Sequence, residues 1–342
     1  MSGTPCFYVP AHIIDHIARN ARQLGIDPEP AQRTAVASQA QRQERRAAAT
    51  ANLSALTPPR PGKGDRQIFD DENQWTVGVT LVRGEGDGAV AQANANAAYD
   101  GLGATRDFYS EILGRDSIDN AGLTLLGNVN FGVQYDNAFW DGTEMVFGNG
   151  DGVIFKDFTL DVDVCGHELT HGVTQYTAGL VYTDQPGAMN EAFSDIFGSC
   201  VDQFVHKLDA GEHNWLIGEE VMADQLYGEA IRSMAHPGTA YDDPILGKDP
   251  QAADMSGYVP GGDPHVNSGI VNRAFYLTAI DLGTFPAARI WFDTLLNLWP
   301  NAQFADCAYV CAEQARILAR DGKVGRNAAQ TVRAAFHEVG IV

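Results

Sequence analysis

Residues 167–171 read His-Glu-Leu-Thr-His, and no other stretch constrains the fold as tightly. Two histidines four positions apart lie on one face of an α-helix, about 40° apart in azimuth. Glu168 sits about 100° round the same helix. It is near enough to reach a water beside a shared metal but badly placed to be a ligand. A catalytic metal needs a third protein ligand and an open position for water. Twenty residues on comes Gly-Ala-Met-Asn-Glu-Ala-Phe-Ser-Asp, residues 187–195. Glu191 and Asp195 are again four apart, so both carboxylates can face the first helix. Glu191 suits the third ligand, and Asp195 suits a hydrogen-bond acceptor for the second nitrogen of a metal-bound histidine. Taken alone, the second segment is a helix N-terminus carrying acids that suit its dipole. Beside His167 and His171 it completes a ligand set.

The chain of 342 residues is long enough to bury a core without disulfide staples. Its formal charge of -21 excludes nucleic acid and anionic membrane as partners and suits bound cations. No run approaches the roughly 18 apolar residues of a membrane span. The N-terminus lacks the basic region, apolar core and small-residue cleavage site of a Sec signal peptide. Five cysteines without framework spacing argue against a disulfide scaffold, and Cys307 and Cys311 suit buried positions on one helix.

Charge divides the chain. Residues 1–57 hold six arginines against four acids, a net charge of +2, ahead of a strongly acidic body. In this head Ile13, Ile14 and Ile17 recur at helical spacing, and 31–51 reads as a polar helix or loosely ordered connector. The Pro- and Gly-rich run 57–65 predicts an accessible linker. Strands are expected over 66–83 and 123–160, with a helix over 89–113 between them. Helices are expected over 163–177, 190–207, 215–227, 267–281, 286–298, 303–321 and 325–338.

The run HELTHGVTQYTAGLVY (167–182) followed by GAMNEAFSDIFG (187–198) resembles the thermolysin-like zinc endopeptidases. YDNAFWDGTEMVFGNGDG (135–152), IGEEV (217–221), IRSM (231–234) and HVNSGI (265–270) match further motifs in the family's order. The head, with CFYVPAHIIDHIARNA at 6–21, resembles the short propeptide of the protealysin-type branch. The resemblance implies an α+β, two-lobed, thermolysin-like fold. Its expected parts are a propeptide (1–57), a β-rich lobe (58–162) and a mainly helical lobe (163–342), with the zinc helix between the lobes.

It also implies roles. His167, His171 and Glu191 would bind one catalytic zinc, with Asp195 behind them. Glu168 would be the general base acting on a zinc-activated water. Tyr182 and His265 would hydrogen-bond the oxyanion. Arg232 would hold a substrate carbonyl, and Asn137 and Ala138 would pair with the substrate backbone. Phe155, Val164, Ile217, Val221 and Ile231 would wall a pocket for an apolar residue after the cut. Asp163, Asp202, Asn214 and Glu219 fall where the family places calcium ligands. With Leu216 and Asn214 replacing acids, one Ca2+ at most is expected. The family's usual aspartate before the His265 position is missing, which leaves Asp263 or nothing to orient that ring.

The implied activity is that of a zinc-dependent neutral endopeptidase made as a zymogen, cutting peptide or protein substrates before hydrophobic residues. Its own head would act as an inhibitor, held partly by charge and removed near the linker. Cys6 could place a thiolate on the zinc or sit as a core residue. Relatives are mostly secreted, whereas the N-terminus suggests cytoplasmic accumulation or unconventional export. One rival reading is a catalytically silent calcium- or partner-binding module on a peptidase fold. That reading sits badly with the retention of Glu168, every ligand and both oxyanion donors. A second rival, an exopeptidase, has no motif for capturing a substrate terminus.

Overall fold

A computed structural model describes residues 6–51, 64–226 and 228–342, the backbone alone for 44–51. Most of the expected linker, 57–63, lies outside the described residues.

The first half builds a six-stranded mixed sheet. Its strands are β1 (Cys6–Phe7), β2 (Arg66–Asp70), β3 (Thr80–Gly84), β4 (Leu125–Val129), β5 (Ala138–Trp140) and β6 (Met145–Phe147), in the order β1-β5-β6-β4-β2-β3. β5 and β6 form a hairpin whose turn is held by Asp141 Oδ1, which accepts from Thr143 N at 2.7 Å and Glu144 N at 2.9 Å. That hairpin leaves one edge of β5 unpaired within the body, and β1 of the head covers it, antiparallel. The head continues as α1 (Ala11–Asn20) and α2 (Glu29–Ala51).

The second half is mainly helical. It holds α4 (Val162–Gln175), α5 (Asp184–His206), α6 (Pro264–Leu282), α7 (Thr284–Asn297), α8 (Phe304–Arg320) and α9 (Ala328–Glu338), while α3 (Ala93–Glu111) belongs with the sheet. Among the described residues no helix is long and apolar enough to cross a membrane.

One close approach positions the site. Gly166 of α4 meets Gly198 of α5, and a Cβ on Gly166 would lie 2.8 Å from the Gly198 Cα. Any larger residue at either position would push the helices apart. Two glycines therefore set the spacing at which side chains of α4 and α5 can share an ion.

The helix expected over 215–227 is not formed. Leu216–Ile217 is instead a short strand, β7, paired with β8 (Arg232–Ser233). Trp215 and Gly218 take positive φ of 61° and 72°, which a helix does not allow. The amides of Gly218 and Glu220 donate to the buried carboxylates Asp163 and Asp161, at 2.9 and 3.2 Å. In a helix those donors would be spent on the chain itself.

Candidate active site

α4 opens on Asp161, whose side chain caps the helix by accepting from Asp163 N. Two turns on, His167 and His171 bring their Nε2 atoms to 3.1 Å from one another, both buried. Each ring is pinned from behind. His167 Nδ1 lies 2.8 Å from Asp195 Oδ1. His171 Nδ1 lies 2.8 Å from Asn190 Oδ1 and 3.0 Å from Ser194 Oγ. These contacts hold the Nδ1 protons and turn both Nε2 lone pairs to one point. Glu191 from α5 reaches that point, with Oε2 3.4 Å from His167 Nε2 and Oε1 3.7 Å from His171 Nε2. Its Oε2 is buried without a hydrogen-bond donor. Two imidazole nitrogens and a carboxylate oxygen, converging and underused, are a donor set that fits zinc.

Asp195 does more than fix His167. Burial pushes its carboxyl up, but Arg232 outweighs that and holds it well below the usual range. Arg232 Nε and Nη2 both bond to Asp195 at 2.8 Å, and Asn272 Nδ2 donates to its second oxygen at 2.8 Å. Glu168 is fully buried. Its Oε2 accepts from Trp140 N at 2.8 Å, while Oε1 has no hydrogen-bond donor. Burial raises its pKa to about 8.

α6 starts at Pro264 with Asp263 as its cap. Asp263 Oδ1 lies 2.9 Å from His265 Nδ1, and His265 Nε2 lies 2.9 Å from Phe7 O. Asp263 is therefore the group that orients this ring. Both nitrogens face acceptors, and although burial lowers the ring's pKa, the Glu191 and Asp263 carboxylates outweigh that and raise it. Tyr182 directs its hydroxyl to Glu191 Oε1.

The head threads this site. Tyr8 N donates to Ala138 O at 3.1 Å, and Val9 exchanges two hydrogen bonds with the Asn137 side chain, at 2.8 and 3.0 Å. Arg232 Nη1 donates to Tyr8 O at 2.9 Å. The Tyr8 ring stands edge-on to His167 and to Phe158, at 5.2 and 6.4 Å between centroids. Its hydroxyl bonds Asp163 Oδ1. A Cβ on Gly218 would lie 2.8 Å from Ile231 and 2.9 Å from the Tyr8 hydroxyl, so these groups close the end of its pocket. Phe155, Val164, Ile217, Val221 and Ile231 are all buried in the core that includes Tyr8.

The head docks through buried apolar residues and hydrogen bonds. Ile13, Ile14 and Ile17 are buried, and α2 contacts the body through Thr34 and Ser38, which bond Asp136 N and the Tyr135 hydroxyl at 2.9 Å. Among the described residues the head's ion pair, Arg33 with Glu29, is internal, and none joins head to body. Arg33 of the head also donates to Gln134 Oε1 of the body at 2.8 Å.

Asp163, Asp202, Asn214 and Glu219 line one open cavity of about 280 Å³ with Asp161 and Glu212. Asp163 already serves Tyr8 and Gly218 N, and Asp202 pairs with His206 and His213, each at 2.9 Å. Several supporting residues were not foreseen: Asn190 and Ser194 behind His171, Asn272 behind Asp195, and Phe158 and Gly218 around Tyr8. Asn190 and Ser194 were within reach, being four apart on the same helix as Glu191 and Asp195.

Converging imidazoles and carboxylate on paired helices, with a buried second carboxylate beside them, define a metallopeptidase centre. The sequence matches two family models, the thermolysin metallopeptidase catalytic domain over 31–175 and its alpha-helical domain over 178–341. The chain belongs to the thermolysin metallopeptidase family and is a metalloendopeptidase, with the catalytic zinc that family implies. An extracellular metalloprotease of Pectobacterium carotovorum is 49% identical over 252 residues, covering 71% of this chain and 73% of that one. Thermolysin of Alicyclobacillus acidocaldarius is 35% identical over 287 residues, covering 80% of this chain and half of that longer one. Among solved structures, the precursor of protealysin from Serratia proteamaculans superposes with a TM-score of 0.83 at 40% identity. It covers 98% of this chain and all of that one.

Proposed function

We propose that the chain is the zymogen of a neutral zinc endopeptidase, with residues 1–57 as propeptide and 58–162 and 163–342 as the two peptidase lobes. The supporting observation is the run Phe7-Tyr8-Val9. It lies antiparallel to β5, with one carbonyl on His265, the next on Arg232, and amides on Ala138 and Asn137. These are the contacts an extended substrate needs around a scissile bond. A head in that position excludes substrate.

With the head removed, His167, His171 and Glu191 hold the zinc. Bound zinc polarises the scissile carbonyl and acidifies water. Glu168 Oε1 receives the proton that the water gives up, and its burial, which raises its pKa, keeps that proton for the leaving amine. His265, fixed by Asp263, donates to the developing oxyanion, joined by Tyr182. Arg232 holds the carbonyl beyond the cut and is itself fixed by Asp195. The pocket of Phe155, Val164, Ile217, Val221 and Ile231 takes an apolar or aromatic residue after the cut, as it takes Tyr8 here. One calcium ion at Asp163, Asp202, Asn214 and Glu219 belongs to the processed form, once Tyr8 has left Asp163. Secretion follows the extracellular relatives by analogy.

The test is hydrolysis of a peptide panel by the processed protein with zinc, read by mass spectrometry, beside Glu168→Ala. Cuts before Leu, Phe and Tyr by the wild type, and none by a variant that still binds zinc, are expected. Retained hydrolysis in that variant would overturn the mechanism.

A further inference from the structure

A peptide held this way beside Glu168 should be cut, so something must protect the Phe7–Tyr8 bond in the uncut chain. The strand's alternation shows what is at hand. Phe7 points to one face, among Phe131, Tyr135, Phe139 and Val146. Cys6 and Tyr8 point to the other. Tyr8 lies against His167, and Cys6 falls in the metal centre. Its Sγ, a ligand nitrogen of His171 and a ligand oxygen of Glu191 all lie within 4.8 Å of one another, and all three residues are buried. Two further atoms in the same space are buried without a hydrogen-bond donor, Glu191 Oε2 and Glu168 Oε1.

We propose that Cys6 is the fourth zinc ligand of the uncut chain, its sulfur filling the position that catalysis needs for water. This rests on the functional reading above. Catalytic zinc has three protein ligands and one open position, whereas four protein ligands make a closed, structural site. On coordination the thiol gives its proton to solvent, a zinc–sulfur bond forms, and nothing is oxidised or reduced. With the open position filled, Glu168 has no water to act on, and a segment seated as a substrate persists as an inhibitor. Serine is not among the usual protein ligands of zinc, which are Cys, His, Asp and Glu.

Two measurements test this on the full chain. The first uses Glu168→Ala, which stays uncut, with and without Cys6→Ser. Zinc X-ray absorption should show one sulfur at about 2.3 Å in the former and none in the latter. The cobalt-loaded proteins should differ likewise in a near-ultraviolet sulfur-to-metal band. Bound zinc with nitrogen and oxygen neighbours alone in both proteins would overturn the proposal and leave the functional reading intact. No zinc bound to either would overturn that reading, and this proposal with it. The second is the intact mass of Cys6→Ser with Glu168 present. A product beginning at Tyr8, absent from the wild type, is expected. A chain that loses the same residues as the wild type would overturn the protective role of the sulfur.

Discussion

Removing one oxygen atom from the head should accelerate its own removal. Tyr8 is fully buried and its hydroxyl donates to Asp163 Oδ1. The other Asp163 oxygen is taken by Gly218 N at 2.9 Å. In Tyr8→Phe the ring still packs against His167 and Phe158, so the loss is the hydrogen bond alone. A bond from a neutral donor to a buried carboxylate contributes about 1.5–3 kcal/mol, and breaking it leaves one carboxylate oxygen without a donor. That weakens docking by about 10- to 100-fold. If processing proceeds from the undocked head, its rate rises by the same factor. The assay is the initial rate of head loss in the full-length chain with zinc, followed by intact mass. The melting temperature of the processed body is the control, since Tyr8 is then gone and the value must match wild type. A rate within twofold of wild type would refute the claim that this hydroxyl helps hold the head.

Acidity should loosen the head as well. His12 bonds the Tyr241 hydroxyl at 2.9 Å, and burial lowers its pKa from 6.5 to about 4. The docked head therefore binds fewer protons than the undocked one, and docking weakens as pH falls below 6.5. At pH 5 the loss is about 2 kcal/mol, which hydrogen exchange of α1 in Glu168→Ala should register and His12→Gln should abolish. Gly218→Ala must adopt a φ of 72° and put a methyl 2.8 Å from Ile231. It should lower kcat/KM for Tyr and Phe after the cut more than for Val, and an equal loss for all three would contradict the pocket assignment. Asp195→Asn should weaken zinc binding by about 10- to 100-fold in a chelator competition, since it unpins both His167 and Arg232.

The site's centre was legible because its geometry is local. Two pairs of residues four apart, His167 with His171 and Glu191 with Asp195, need only helices to be arranged. The glycines that let those helices meet, Gly166 and Gly198, carry no signal of partnership in sequence. The same limit hid Asn272, which reaches Asp195 from a distant helix. The segment 215–227 misled because its apolar spacing reads as helical, while its backbone serves buried carboxylates of another element. Cys6 and Tyr8 could be named from sequence, but their shared face depends on β1 adding to β5. That pairing spans more than 130 residues of chain.

The central claim is that one chain holds a working metallopeptidase and the segment that blocks it. The direct measurement is the intact mass of the purified full-length protein incubated with zinc at neutral pH, beside Glu168→Ala. The wild type should lose its head within the linker, while Glu168→Ala keeps every residue. A wild type that stays whole, or a Glu168→Ala chain shortened equally, would contradict the account.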